Sequence, residues 1–440
     1  MNTFNISEER LALCRKDRNE RRERVFLELE NRIGHGAVNE LRRLYDIYDE
    51  SMYLWLAGLW DGKVGGFYYS GSARDNEGFL PDVESTAQAL RHTVSSGLFA
   101  QWGSWRDAID EKSRMKLISF VKGMQSAEDG FFYHPQWGSD ISVSRRGRDL
   151  GWATSILREL GISPLYDTPN GVKGELGAPL NTAKKEKNAD TAVAASPDHL
   201  QTLSAFREYL DSLELTTKSY SVGNLLNAQN SQIKAAGEDF CRLFYEYMKE
   251  KQNPQNGLFE DEVSYSSVNG FFKIGSVISA MGYAIPSAEA VLKSVMHMSL
   301  QPTLTPERDN HVCSLYNCWV ILDFLITNAE KYKGADAADA IRKTVYDRAE
   351  ELIRISCNKM QVFKKADGGF SYGPNKSAAK SQGAPVAVPQ TSESDVNATC
   401  IMSTGLSGRM AATFGATNLK IFGKEDGRLF AELIANSSKM

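Results

Sequence analysis

Four stretches of this chain repeat one phrase: DGKVGGFYYS at 61–70, EDGFFYHP at 128–135, PQNGLFEDE at 254–262 and ADGGFSYGP at 366–374. Each sets an Asp-Gly or Asn-Gly turn signal before an aromatic residue and a short extended piece. Self-similarity at such spacing marks a fold assembled from repeated supersecondary units. The intervals between Phe67, Phe131, Phe259 and Phe370 leave room for two units without the phrase, near residues 190 and 310. The first position reads NTAKKEKNADTAVAASPDHLQ. It is polar and rich in Ala and Lys, so a flexible loop is expected over about 180–199.

After each phrase the apolar residues fall at helical spacing. Val83, Ala87, Leu90 and Val94 do so after the first, and Leu150, Ala153, Leu157 and Leu160 after the second. SVNGFFKIGSVISAMG and SDVNATCIMSTGLSGRM follow the third and fourth. Both are poor in charge, as in helices buried on most sides. Residues 7–33 read as a long charged helix and 38–59 as a second one, and strand-like alternation is rare. The predicted fold is all-α, a single domain over 1–440. It is an α/α toroid of about six or seven helical hairpins, whose inner-helix N-termini and turn loops meet at one mouth. The aromatics of the phrases are expected on its rim.

Net charge is −4, with no long basic block, which argues against nucleic acid as the main partner. No unbroken run of eighteen apolar residues occurs, so no membrane span is expected. The charged N-terminal segment lacks an apolar signal core. A cytoplasmic location is expected, or secretion if a signal peptide has been removed. Cys14, Cys241, Cys313, Cys318, Cys357 and Cys400 show no CxxC spacing, so buried free thiols are expected rather than a zinc ribbon or disulfide framework. HExxH, P-loop and GxSxG signatures are absent, and no GxGxxG follows a strand. A terpene-cyclase reading shares the turns but wants an Asp-rich metal motif or a zinc set. The expectation is no metal and no cofactor.

Candidate site residues sit where phrases meet helices. The first loop offers Tyr68, Tyr69, Arg74, Asp75 and Glu84, with Asp82 expected to cap the helix beginning near Val83. The second offers His134 and Trp137 as sugar contacts, and Arg145, Arg146 and Arg148. One of these Arg residues supports Asp149 and another faces an anionic ligand. The third offers Asn269. TPERDNHVCSLYNCWVILDFL brings Arg308, Asn310, His311, Tyr316 and Asn317 within ten residues. Leu315, Trp319 and Leu322 form its apolar face, and Asn310, Ser314 and Asn317 a polar one. Tyr316 shares that polar face only if residues 309–312 are still loop. The last unit offers Glu393, Asp395 and Asn397. A pair such as Asp75 or Glu84 with Asp395 would suit a glycoside hydrolase. A toroid that binds glycan without turnover is a third reading.

The aromatic turns, inner helices and the Arg308, Asn310, His311, Tyr316 cluster resemble the α/α-toroid polysaccharide lyases. The single-domain glucuronan and alginate lyase type is the nearest, over residues 38–415. The resemblance implies a polysaccharide or oligosaccharide substrate containing uronic acid, cleaved by β-elimination. It implies Tyr316 as proton donor, with Asn310, His311 and Arg308 near the carboxylate. Such chemistry removes the C5 proton and expels the 4-oxygen. It therefore needs donors that neutralise the carboxylate as well as an acid and a base.

Overall fold

The structure, a computed structural model, describes residues 4–181, 197–304 and 311–438. Arg308, Asn310 and all but the ends of the loop expected over 180–199 lie outside the described residues, as do the cores of the two positions expected to lack the phrase. The chain is predominantly helical, with 60% helix and, among the described residues, a few short strands and no barrel.

α1 (Glu8–Ile33) begins where Ser7 accepts from the Arg10 N–H at 3.3 Å, with Glu8 and Glu9 at its positive end. Its charged face is partly enclosed. Arg18 is buried between Glu50 at 2.8 Å and Asp426 at 3.0 Å. Arg22 donates to the carbonyls of Ile421, Tyr45 and Tyr48. The helix expected over 38–59 is in fact two. α2 (His35–Asp46) ends, and Asp49 caps α3 (Glu50–Gly58) by accepting from the Ser51 N–H at 3.0 Å. An Asp side chain competes for backbone N–H groups, a local effect that apolar periodicity does not register.

Then follow α4 (Val83–Ser95), α5 (Glu111–Gly123), α6 (Val143–Leu160), α7 (Leu203–Ser212), α8 (Ser219–Ala228) and α9 (Glu238–Lys251). After them come α10 (Tyr265–Ala280), α11 (Ala288–Ser299), α12 (Val312–Lys333), α13 (Ala335–Tyr346) and α14 (Ala349–Gln361). A short helix, Val396–Cys400, passes through a π-helical turn, Ile401–Gly405, into α15 (Leu406–Thr413). α16 (Lys424–Ser437) closes the described chain.

Cross-contacts fix the directions of five segments. Glu84 meets Arg148 and Arg91 meets Ser155, so α4 and α6 run the same way. Gln88 meets Asn397 and His92 meets Ser403, which aligns the segment 396–413. Tyr316 lies against Gly405 and Asp323 bonds Arg409, which aligns α12. Asn269 bonds Asn317 and Ser279 bonds Asn328, which aligns α10. The order is α6, α4, 396–413, α12, α10, all parallel. Other helices pack behind this row: α5 on α6, α8 on α10, and α11, α13 and α14 on α12.

The recurring phrase is a recurring turn. Gly65, Gly130, Gly257 and Gly368 all take positive φ. Their N–H groups close back onto the carbonyls of Asp61, Ser126, Asn253 and Lys365. Two of the turns match further. Buried Gln125 donates from Nε2 to the Gly130 carbonyl at 3.1 Å and the Tyr166 carbonyl at 2.8 Å. Gln252 does the same to Gly257 at 2.6 Å and Pro286 at 3.1 Å. One aromatic of each phrase goes inward, against the rim expectation: Phe67, Phe132, Phe259 and Phe370 are buried, while Phe131, Tyr68, Tyr133 and Tyr372 are partly exposed. The cause is a minimal ladder after the turn. β1 (Trp60–Asp61) pairs antiparallel with β2 (Gly66–Phe67), and single bridges join Gln125 to Phe132 and Lys364 to Phe370. A second hairpin, β3 (Lys380–Ser381) with β4 (Ala384–Pro385), stands apart from the phrases.

One continuous hydrophobic core includes residues from Cys14 to Ile434. By length and composition α12 is apolar enough to cross a membrane, which a search for unbroken apolar runs misses. Of its most apolar stretch 78% is buried inside the fold. The six cysteines are free thiols.

Candidate functional site

The N-termini of the parallel row gather at one end. Asp82 caps α4, accepting from the Ser85 N–H at 3.0 Å. Asp395 caps the Val396–Cys400 helix, accepting from the N–H groups of Ala398 at 2.7 Å and Tyr372 at 2.9 Å. Ser142, Ser264 and His311 precede α6, α10 and α12.

This end is filled by a buried charge network. Arg145 is fully enclosed, with Asp149 at 2.9 Å, Glu84 at 3.1 Å and Asp82 at 3.3 Å. Arg148 joins through Glu84, and Ser381 donates to the same carboxylate at 2.9 Å. Two guanidinium groups thus meet three carboxyl groups. Burial pushes Asp149 up to about 7 against the pull of Arg145, which brings the cluster near electroneutrality. The β3–β4 hairpin latches over it: Ser142 donates to the Gln382 carbonyl at 2.9 Å, and Gln136 to the Pro385 carbonyl at 3.1 Å.

Many residues expected to hold sugar are engaged here by the protein itself. Tyr69 is buried beside Asp395. His134 is buried, its Nε2 2.8 Å from the Pro81 carbonyl and its ring stacked on Trp137 at 3.8 Å. Arg145 lies 4.9 Å over the other partner of that stack, Trp137. Tyr68 donates to Asp61 at 2.9 Å, and Arg74 to Asp75 at 2.7 Å. Asn269 and Asn317 bond each other at 2.9 Å in the interior. The carboxylates considered for hydrolysis are engaged as well. Asp75 pairs with Arg74, Glu84 sits in the network, and Asp395 is a cap. Burial raises Asp395 to about 7, although the N–H groups of Ala398 and Tyr372 favour its charged form.

One open space, a cavity of about 600 Å³, has Arg74, Asp75, Asp367 and Glu393 among its walls, and a larger one lies further along the same helices. A cleft of about 710 Å³ is walled by α4, the 396–413 segment, Tyr316 of α12 and the strip 417–421. Its volume falls in the range of small-molecule sites. Gln88, Arg91 and Ser95 line it from one face of α4. Asn397, Thr404 and Arg409 line it from the 396–413 segment, and Lys420 stands at its far edge. The π-helical turn, packed on α4, forms part of the wall, and such turns often mark functional positions. Close approach there depends on Gly405, where an added Cβ would come within 3.1 Å of the Tyr316 ring. Behind the wall, buried His92 places Nδ1 3.3 Å from Ser403 Oγ, and burial lowers its pKa to about 4.

The electrostatics of the cleft are one-sided. Among the described residues Arg91, Arg409 and Lys420 line it, and no Asp or Glu does. Arg91 bonds the Ser155 hydroxyl at 3.0 Å and lies 4.4 Å over Trp152, with no carboxylate partner among the described residues. Arg409 bonds Asp323 at 2.7 Å. Burial alone would lower the Arg409 pKa, but Asp323 and the nearby Tyr316 hydroxyl outweigh it.

Of the residues expected to be catalytic, Tyr316 reaches the cleft. α12 is already helical at Val312, and Tyr316 does not share the expected polar face: it faces Gly405, while Asn317 turns to Asn269. His311 stands at the N-terminal rim, its ring stacked on Tyr372 at 5.6 Å between centroids. Its Nδ1 is buried and has no partner among the described residues, and burial lowers its pKa. The sequence reading did not single out Arg91, Arg409 or Lys420. Among the described residues no group of three or more His, Cys, Asp or Glu side chains is placed to hold a metal ion. No protein-family model, no curated protein and no solved structure matches this chain.

Proposed function

We propose that this chain is a polysaccharide lyase that cleaves a uronic-acid-containing glycan by β-elimination. The observation that carries the reading is the cleft wall: a tyrosine hydroxyl among three cations, with no lining carboxylate among the described residues. An acidic sugar is attracted there and a neutral one is not. A glycosidase would need a carboxyl pair flanking the scissile bond. Among the described residues the cleft lining supplies none, and Asp75, Asp367 and Glu393 of the 600 Å³ cavity are each engaged, by Arg74, Ser394 and Ser72.

In this reading Arg409 and Arg91 neutralise the uronate carboxylate and stabilise the enolate formed when the C5–H bond breaks. The electron pair then forms the C4–C5 double bond as the C4–O4 bond breaks. Tyr316 gives its proton to the departing oxygen. His311 stands outside the cleft lining with Nδ1 buried, so the C5 proton leaves to a base other than His311. The parallel row of five helices supports the α/α-toroid expectation.

A panel of glucuronan, alginate and neutral glycans, followed by ultraviolet absorbance of the unsaturated product, tests the proposal. Absorbance is expected to rise with at least one uronan and with no neutral glycan. A flat signal across all uronans overturns it.

A further inference from the structure

A second cavity, of about 390 Å³, shares one wall residue with the cleft. The strip 417–422 separates them. Thr417, Leu419 and Ile421 face the cleft, Asn418 and Phe422 face the second cavity, and Lys420 lines both. Across from the strip, α1 supplies Arg21, Arg24 and Glu28. Arg21 is paired with Asp17 at 3.3 Å. Arg24 bonds the Glu20 carbonyl at 3.2 Å and has no ion pair among the described residues. Neither does Lys420. Three cations without a carboxylate partner, Arg91, Lys420 and Arg24, therefore run from the cleft over a rim to the outside of the molecule.

We infer that this second cavity is an outer subsite for the acidic polysaccharide, taking the units that leave the cleft over Lys420. The inference rests on the cleft holding an acidic glycan, and it adds a binding site on α1 that the cleft does not require. A single-stranded nucleic acid fits less well. Such ligands stack on exposed aromatic faces, and the one aromatic in this cavity, Phe422, is buried.

Size-defined oligouronates, short ones confined to the cleft and long ones able to cross the rim, titrated by calorimetry against the full chain carrying Tyr316→Phe so that they bind without being cleaved, test this. Long oligomers are expected to bind more tightly than short ones, and the gain to shrink with added salt. Arg24→Ala should leave short-oligomer affinity unchanged and weaken long oligomers by roughly three- to fivefold. Lys420→Ala should weaken both. Equal affinity of the two lengths, or an equal loss in Arg24→Ala, overturns the outer subsite while leaving the cleft reading standing. Failure of short oligomers to bind at all overturns both. Tighter binding of an oligothymidylate than of a long oligouronate overturns the polysaccharide assignment.

Discussion

At the scale of single residues the account rests on Tyr316. Its ring packs against Gly405 and its hydroxyl lies near Arg409. Tyr316→Phe keeps the packing and removes the acid. Turnover is expected to fall by about 10²–10⁴-fold in steady-state assays, with the melting temperature unchanged. Asp395 gives a test of a different kind. Its folded pKa of about 7 is above the ordinary carboxyl value. The stability it contributes is therefore complete at acid pH and is lost as pH rises through 7. Asp395→Asn cannot ionise. The gap in melting temperature between wild type and variant should shrink from pH 5 to pH 8, and a widening gap contradicts the account. Tyr316 could be singled out from sequence because it stands beside other polar residues at a helix start. Arg91, Arg409 and Lys420 could not, because each reads locally as an ordinary helix-surface or loop charge. Only the parallel packing of distant segments brings them together.

At the scale of elements the turn phrase was the most legible feature, and its destination was not. An Asp-Gly or Asn-Gly signal identifies a turn by its backbone chemistry. It does not say whether the following aromatic faces water or core, which the short ladder decides. The glycines themselves are constrained twice, by positive φ and by backbone nested against them. An added Cβ would come within 2.2 Å of the Asp167 carbonyl oxygen at Gly130, and 2.4 Å of the Val291 nitrogen at Gly257. Gly130→Ala and Gly257→Ala are each expected to cost about 1–3 kcal/mol or more in denaturant unfolding. A loss within error at both positions contradicts the constraint, and a loss at only one contradicts the equivalence of the two turns. The break between α2 and α3 shows the opposite limit: Asp49 ends a periodicity that continues through it.

At the scale of the molecule, Arg145 joins α4 and α6, and its partner Glu84 carries the link on to the β3–β4 hairpin. Arg145→Met removes the cation and leaves buried carboxylates facing one another. A loss of about 3–5 kcal/mol is expected at neutral pH. The loss should be smaller at pH 5, where Asp149 is protonated; unfolding curves at the two pH values read the difference. This arrangement separates the two ends of the parallel row. One end holds the fold together, and the open cleft beyond it carries the positive charge and Tyr316. The sequence reading placed the site among the helix N-termini because the polar residues concentrate there. Most of them turn out to bond one another. Mass spectrometry of the fragments released from a uronan tests the central claim most directly. Elimination predicts a product whose new non-reducing end is lighter by one water than a hydrolytic fragment, and which disappears with Tyr316→Phe. Fragments carrying the full mass of added water, or elimination products undiminished in that variant, would contradict it.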